Sequence, residues 1–158
     1  MNPTLVLPLA FLIGIVAGLR SLTAPAVVAW AAHLHWLNLE HTPLAFLGST
    51  AAVAVLTLLA LVELIADKLP KTPSRTAPPG LIARFLLGGL SAAALAAAAG
   101  QSLVLGAVLG AAGGLAGAFI GYQARTRSVK ALNAPDYAIA LLEDAVAIGA
   151  ALFLASRF

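Results

Sequence analysis

Between Arg84 and Arg125 no side chain carries a formal charge. A water-soluble domain spreads charge over its whole surface, at about one residue in four. A stretch this long without charge has no polar face to offer water, so lipid must be its solvent. The rest of the chain agrees: 61% of residues are hydrophobic, 9% are charged, and the mean hydropathy is +1.00. With every backbone polar group to be satisfied inside hydrocarbon, helices are the economical choice. A length of 158 residues leaves room for five or six spans of roughly 20 residues each. The expected architecture is all-α, a polytopic transmembrane bundle forming a single integral membrane domain over residues 1–158.

Breaks between apolar runs divide the chain. Residues 4–19 form a first run. Gly18-Leu19-Arg20-Ser21-Leu22-Thr23-Ala24-Pro25 interrupts it with a glycine, a charge, hydroxyl side chains and a proline suited to a first helical turn. Residues 25–37 are apolar but short for a span, which predicts a broken or re-entrant N-terminal segment. Residues 38–43 read as a polar loop and 44–66 as a strong span. Pro70, Pro73, Pro78 and Pro79 forbid regular helix over 69–80. Further spans are expected over 81–99, 103–122 and 137–156, with a polar, basic segment at 123–135. Met1-Asn2-Pro3-Thr4 lacks the positive region of a removable signal peptide, so the first run is expected to be retained.

Charge sets an orientation. Lys68, Lys71, Arg75 and Arg84 flank one loop, and Arg125, Arg127 and Lys130 occupy another. The hairpin between them returns both loops to one side. The positive-inside rule puts that side in the cytoplasm and the C-terminus outside. Arg20 discriminates two arrangements of the N-terminal segment. One broken span over 4–37 leaves the N-terminus inside, whereas a hairpin of two helices leaves it outside with Arg20 facing the cytoplasm.

Acidic residues inside the spans are the candidates for function. Glu63 and Asp67 are four apart and share a helix face, with Glu63 about 6 Å deeper by helical rise. Glu143 and Asp144 are adjacent and point about 100° apart. A charge at full depth costs about 2.5–3.5 kcal/mol on insertion scales, so it persists where it is paired or lines a wet path. Arg20 and Arg84 are the available partners. The pattern predicts a polar cavity lined by Glu63, Asp67, Glu143 and Asp144 and closed by Arg20, able to bind or relay an ion, a proton or a polar solute. The competing reading is a set of buried ion pairs that fix helix register.

Other features weigh less. Gly106, Gly110 and Gly114, with Gly113, Gly117 and Gly121 offset from them, form a ladder of small residues at four-residue spacing. Such ladders let helix backbones approach closely. Packing inside the bundle, against Gly88, Gly89 and Ala92–Ala94, is preferred to a homodimer face, although a homo-oligomer is expected. His33, His35 and His41 beside Glu40 could suggest a metal. Histidines two apart do not share a helix face, and interfacial histidines with Trp30 and Trp36 as headgroup anchors are the simpler reading. Lys68, Lys71 and Arg75 in the proline-rich loop suit anionic headgroups or a cytoplasmic partner, or a stiff connector. The basic pI near 9.8 reflects cytoplasmic loops, so no nucleic-acid partner is expected. The chain contains no cysteine, no phosphate-binding glycine loop and no nucleophile triad, and no enzyme activity, metal or cofactor is expected.

The sequence also echoes itself. Arg20-Ser21-Leu22-Thr23-Ala24 resembles Arg127-Ser128-Val129-Lys130-Ala131. Gly14/Gly18 precede the first and Gly117/Gly121 the second. Leu61-Val62-Glu63 and Leu141-Leu142-Glu143 follow them. Internal repeats of this kind occur in transporters, with sites at the repeat interface.

Gly18-Leu19-Arg20-Ser21, Glu63-Leu64-Ile65-Ala66-Asp67-Lys68-Leu69-Pro70, Arg75-Thr76-Ala77-Pro78-Pro79 and Leu141-Leu142-Glu143-Asp144 together resemble a bacterial membrane-protein family catalogued as a domain of unknown function, number 4126. The resemblance covers nearly the whole chain. It implies an inner-membrane location and no particular activity. Its motifs coincide with the physical candidates at Arg20, Glu63, Asp67, Lys68, Arg75, Glu143 and Asp144. The expectation is a small transporter or channel for a small polar or ionic solute; the alternative is a scaffold or lipid-binding protein acting through the basic loops.

Overall fold

A computed structural model describes residues 3–68, 76–133 and 135–158, with side chains from Leu5 onward. Lys71 and Arg75, and with them most of the proline-rich loop, lie outside the described residues. All regular secondary structure among the described residues is helical: α1 (Pro3–Leu19), α2 (Thr23–His33), a 3-10 turn (Ala45–Gly48), α3 (Thr50–Ala66), α4 (Pro78–Ala98), α5 (Leu103–Leu132) and α6 (Asp136–Ala155). Three of these, α4, α5 and α6, are long and apolar enough to cross a membrane, and α1 and α3 are shorter apolar helices. The fold is a polytopic transmembrane helical bundle.

The N-terminal segment is a helical hairpin. α1 ends at Leu19, the chain turns through Arg20–Leu22, and α2 departs at Thr23. Its eleven residues extend only about 16 Å at 1.5 Å per residue, which is half a bilayer. The chain then folds back into the end of the bundle, burying Leu37, Leu39 and Leu47. The expected span over 44–66 therefore begins later, at Thr50. Ser49 is its N-cap, accepting a hydrogen bond from the Ala52 amide at 3.1 Å, which releases residues 44–48 to form the 3-10 turn.

The basic segment expected as loop at 123–135 is helix almost throughout. α5 continues to Leu132 because nothing from Tyr122 to Leu132 breaks it. It stops where Asn133 takes a left-handed conformation (φ 46°), followed by Pro135. Its 30 residues extend about 45 Å by helical rise, well beyond the roughly 30 Å of hydrocarbon. Arg125, Arg127 and Lys130 thus ride on a helical extension.

Glycine decides the packing of half the bundle. Gly106, Gly110, Gly113, Gly114, Gly117 and Gly121 are all buried. A Cβ on Gly110 would collide with Ala92 and the Gly88 carbonyl of α4, and one on Gly113 or Gly117 with the α1 backbone at Phe11 or Ile15. The adjoining small-residue faces of α5 therefore meet α1 and α4 at backbone contact, and α1 and α4 also pack on each other, so the three helices form one close-packed cluster. The ladder is consumed inside the bundle. Gly14 lies against Gly110, and Gly18 against Gly114 and Gly117, so α1 and α5 run in the same direction. The other half is looser: α2 is flanked by α3 on one side and α6 on the other, with α3 the most peripheral helix.

Candidate functional site

The turn at Arg20–Leu22 leaves two helix ends bare inside the bundle. The C-terminal end of α1 presents unpaired carbonyls with a partial negative charge, and the N-terminal end of α2 presents unpaired amides with a partial positive charge. Side chains of the matching sign meet both. Arg84 of α4, buried, donates from Nε to the Gly18 carbonyl at 2.9 Å and from Nη1 to the Gly80 carbonyl at 3.0 Å. Glu63 of α3 accepts from the Ser21 amide at 2.8 Å, the Ser21 hydroxyl at 2.5 Å and the Leu22 amide at 2.8 Å. Glu63 is therefore the cap of α2, supplied from another helix.

Between these two caps lies Arg20, whose side chain is 0% exposed. It pairs with Asp67 at the end of α3. Its Nε is 2.7 Å from Asp144 Oδ1, and its Nη2 is 3.8 Å from Glu143 Oε2. The guanidinium fork suits this role, because several carboxylates can be met in fixed directions at once. Asp144 is shared: its second oxygen accepts from Lys68 Nζ at 2.6 Å, and that ammonium also donates to the Leu64 carbonyl at 2.7 Å. Glu143 is shared too, lying 3.9 Å from Arg125 Nη1. Arg125 in turn grips Asp136 with two parallel hydrogen bonds, at 2.9 and 2.5 Å. That bond raises the Arg125 guanidinium above its ordinary pKa, against the opposing effect of burial. Asp136 is 62% exposed, so this pair forms the rim of the site and Arg20 its floor.

All five sequence candidates, Arg20, Glu63, Asp67, Glu143 and Asp144, are brought together. Lys68 joins them as a partner of Asp144. Arg84, expected to face the carboxylates, donates to the Gly18 carbonyl at the end of α1 and to the Gly80 carbonyl of its own helix. Arg125 and Asp136 were not anticipated, because 123–135 was expected to be loop. The signal was available: an unbroken helical segment to Asn133 puts Arg125 two turns from the α5–α6 corner, within reach of the first residue of α6. The internal echo does not carry over to the site, since Arg20 is sealed in the core while Arg127 is exposed. Glu63 and Glu143 reach the same place from helices running in opposite directions.

Residues 7–156 match the family model described as a domain of unknown function, DUF4126. The chain belongs to that family. No curated protein and no solved structure matches it. The match extends from α1 to the end of α6 and so takes in the whole Arg20 network.

At the opposite end of the bundle, a cavity of about 320 Å³ is lined by His33, His35, Asn38, Glu40 and neighbouring apolar residues. His33 is committed through Nδ1 to the Gly48 carbonyl, 2.9 Å away, which ties α2 to the 3-10 turn. His35 adopts a left-handed backbone (φ 61°) and turns away from the helix. Among the described residues no three His, Asp or Glu side chains converge with the spacing a metal needs. Trp30 is fixed by a 3.0 Å hydrogen bond from its indole to Thr57.

Proposed function

We propose that this protein is a small transporter or channel-like membrane protein that moves a small cationic or polar solute past the Arg20 network. One observation carries the reading. Five of the six acidic residues of the chain, namely Glu63, Asp67, Asp136, Glu143 and Asp144, gather at one end of the bundle around a fully buried arginine. Against the cations within the network, Arg20, Lys68 and Arg125, they hold a formal excess of two negative charges; the neighbouring Arg84 lowers it to one. A chain of net charge +3 has concentrated negative charge where a path would end. Ionisable residues at membrane depth commonly mark such pathways. The paired network is the closed form, with Arg20 as the latch and the His33–Glu40 cavity as the open mouth at the far end. Passage requires Arg20 to release at least one carboxylate.

The basic residues Lys68, Arg125, Arg127 and Lys130 lie at the network end, and the positive-inside rule assigns that end to the cytoplasm. Both chain termini then face outward, and the membrane is the bacterial inner membrane. A second copy in a homodimer would pack on a lipid-facing surface, because α1 and α4 already cover the glycine ladder. The parallel course of α1 and α5, each with glycines at four-residue spacing, is the feature that an internal repeat would share.

A second reading is favoured by the completeness of the pairing. Glu63, Asp67, Glu143 and Asp144 each have a partner, as they would in a register-fixing hub of a non-transporting scaffold. Cation flux into proteoliposomes separates the two. Glu143→Gln and Glu63→Gln are expected to abolish the wild-type flux while each variant still elutes as a folded species. Unchanged flux in both sinks the transport reading, and absence of wild-type flux for protons, alkali cations and organic ammonium ions alike favours the scaffold.

A further inference from the structure

A shallow groove of about 160 Å³ opens from the side of the bundle toward the bilayer. Its floor is α2, from Thr23 to Trp30; Thr57, Leu61 and Leu64 form the α3 wall, and Ile148 the α6 wall. The walls lead to the charged network. One helical turn beyond Leu64 is Lys68, and one turn before Ile148 is Asp144. These two join at 2.6 Å to close that end. The floor begins at Thr23, directly after the Ser21–Leu22 segment that Glu63 caps. The Thr23 hydroxyl is buried and has no hydrogen-bond partner among the described residues, which is costly unless a further group reaches it.

The groove is thus apolar along its length, open to lipid, and ends at a network with excess negative charge. We propose that the solute is an amphiphilic organic cation, with an alkyl or aryl body and an ammonium-type head, that enters sideways from the bilayer through this groove. This rests on the transport reading for the network and names the substrate class. The apolar body lies between α3 and α6 over α2. The head displaces the Lys68 ammonium from Asp144, exchanging one cation for another. An anionic head would meet Lys68 but would face the surrounding carboxylates, which disfavour it.

The test uses the full chain in phosphatidylcholine nanodiscs and two probes with equal tails and opposite heads, octyltrimethylammonium and octyl sulfate. Retention above that of empty nanodiscs is measured by equilibrium dialysis. The cation is expected to bind about tenfold or more tighter than the anion, a difference of about 1.4 kcal/mol. Leu61→Trp, at an exposed rim position, blocks the groove without entering the core and is expected to remove cation binding. Lys68→Gln removes the competing cation and is expected to tighten it several-fold. Equal or anion-favouring retention, unchanged binding in Leu61→Trp, or weakened cation binding in Lys68→Gln overturns the proposal. The two readings fail separately. Alkali-cation flux that persists in Leu61→Trp, with no octyltrimethylammonium binding by the wild type, refutes the groove and leaves transport standing. Groove binding as expected, with no flux of any cation, refutes transport and leaves a binding site.

Discussion

The two halves of the bundle are held together by opposite chemistry. In α1, α4 and α5, helix backbones touch through glycine and alanine, and the contact is close and buried. In α2, α3 and α6, the helices contact one another less and are joined at one end by charges, with a lateral groove between them. Close packing of small residues has one geometry and resists change. Ion pairs can exchange partners, and α3 has few other contacts to hold it. On these grounds the first half is expected to be the more rigid and the second the more able to rearrange, with Arg20 at the seam, at the end of a glycine-packed helix and in the midst of the carboxylates.

The largest test of that division removes the seam. Arg20→Ala leaves Asp67, Glu143 and Asp144 without their shared buried cation. Breaking a buried ion pair from one side costs about 3–5 kcal/mol, so the variant is expected to lose its monodisperse peak and cooperative melt in detergent. Arg20→Lys keeps the charge but not the fork and is expected to fall between wild type and Arg20→Ala. An Arg20→Ala melt equal to wild type would mean that the network contributes nothing to the fold.

The glycine half should respond almost as strongly to a single methyl group. In Gly110→Ala the new Cβ meets both Ala92 and the Gly88 carbonyl, and overpacking of this kind typically costs about 1–3 kcal/mol. Gly100→Ala has no neighbour to clash with; its cost comes only from the left-handed backbone at φ 66°, about 1 kcal/mol. The order Gly110 before Gly100 in thermal melts checks that packing, and not glycine content, sets the rigidity.

How much of this was legible in the sequence follows the distance between partners. Most apolar runs, the break at Arg20 and the glycine ladder are local patterns, and each lies where its pattern places it, the start of the 44–66 run excepted. Ser49 as a cap and the continuation of α5 past Tyr122 were also local, but composition outweighed them: residues 44–48 are apolar and 123–132 are polar, so the span began too early and the helix ended too soon. The network was legible as a set of residues but not as a set of pairs. Glu63 caps a turn some 42 positions earlier in the chain, and Lys68 meets Asp144 across 76. Such pairings depend on how α3 and α6 flank α2, which no periodicity encodes.

Within the movable half, the roles of the carboxylates can be ranked. Glu63→Gln keeps an acceptor for α2 but loses the charge that favours the helix N-terminus. The loss of stability is expected to be about 1 kcal/mol, read as a modest shift in the detergent melt. Asp67→Asn removes a direct partner of Arg20 and should cost more. A Glu63 variant less stable than the Asp67 variant would move the seam from the guanidinium to the helix cap.

The smallest effect is expected on the α5 extension, where two arginines two residues apart point to different faces of the helix and differ in what they touch. Arg125 grips Asp136 with two hydrogen bonds and approaches Glu143, whereas Arg127 is exposed. Exposed substitutions away from such features stay within about 0.5 kcal/mol, so Arg127→Gln should melt like wild type. Arg125→Gln unties the α5–α6 corner at a partly exposed pair, and solvent screening limits its cost to about 1 kcal/mol. High salt should narrow the gap between the two variants, because screening weakens the exposed Asp136 pair first. A gap that persists in molar salt would place Arg125 among the buried partners of Glu143, and would extend the Arg20 network one helix further than its rim.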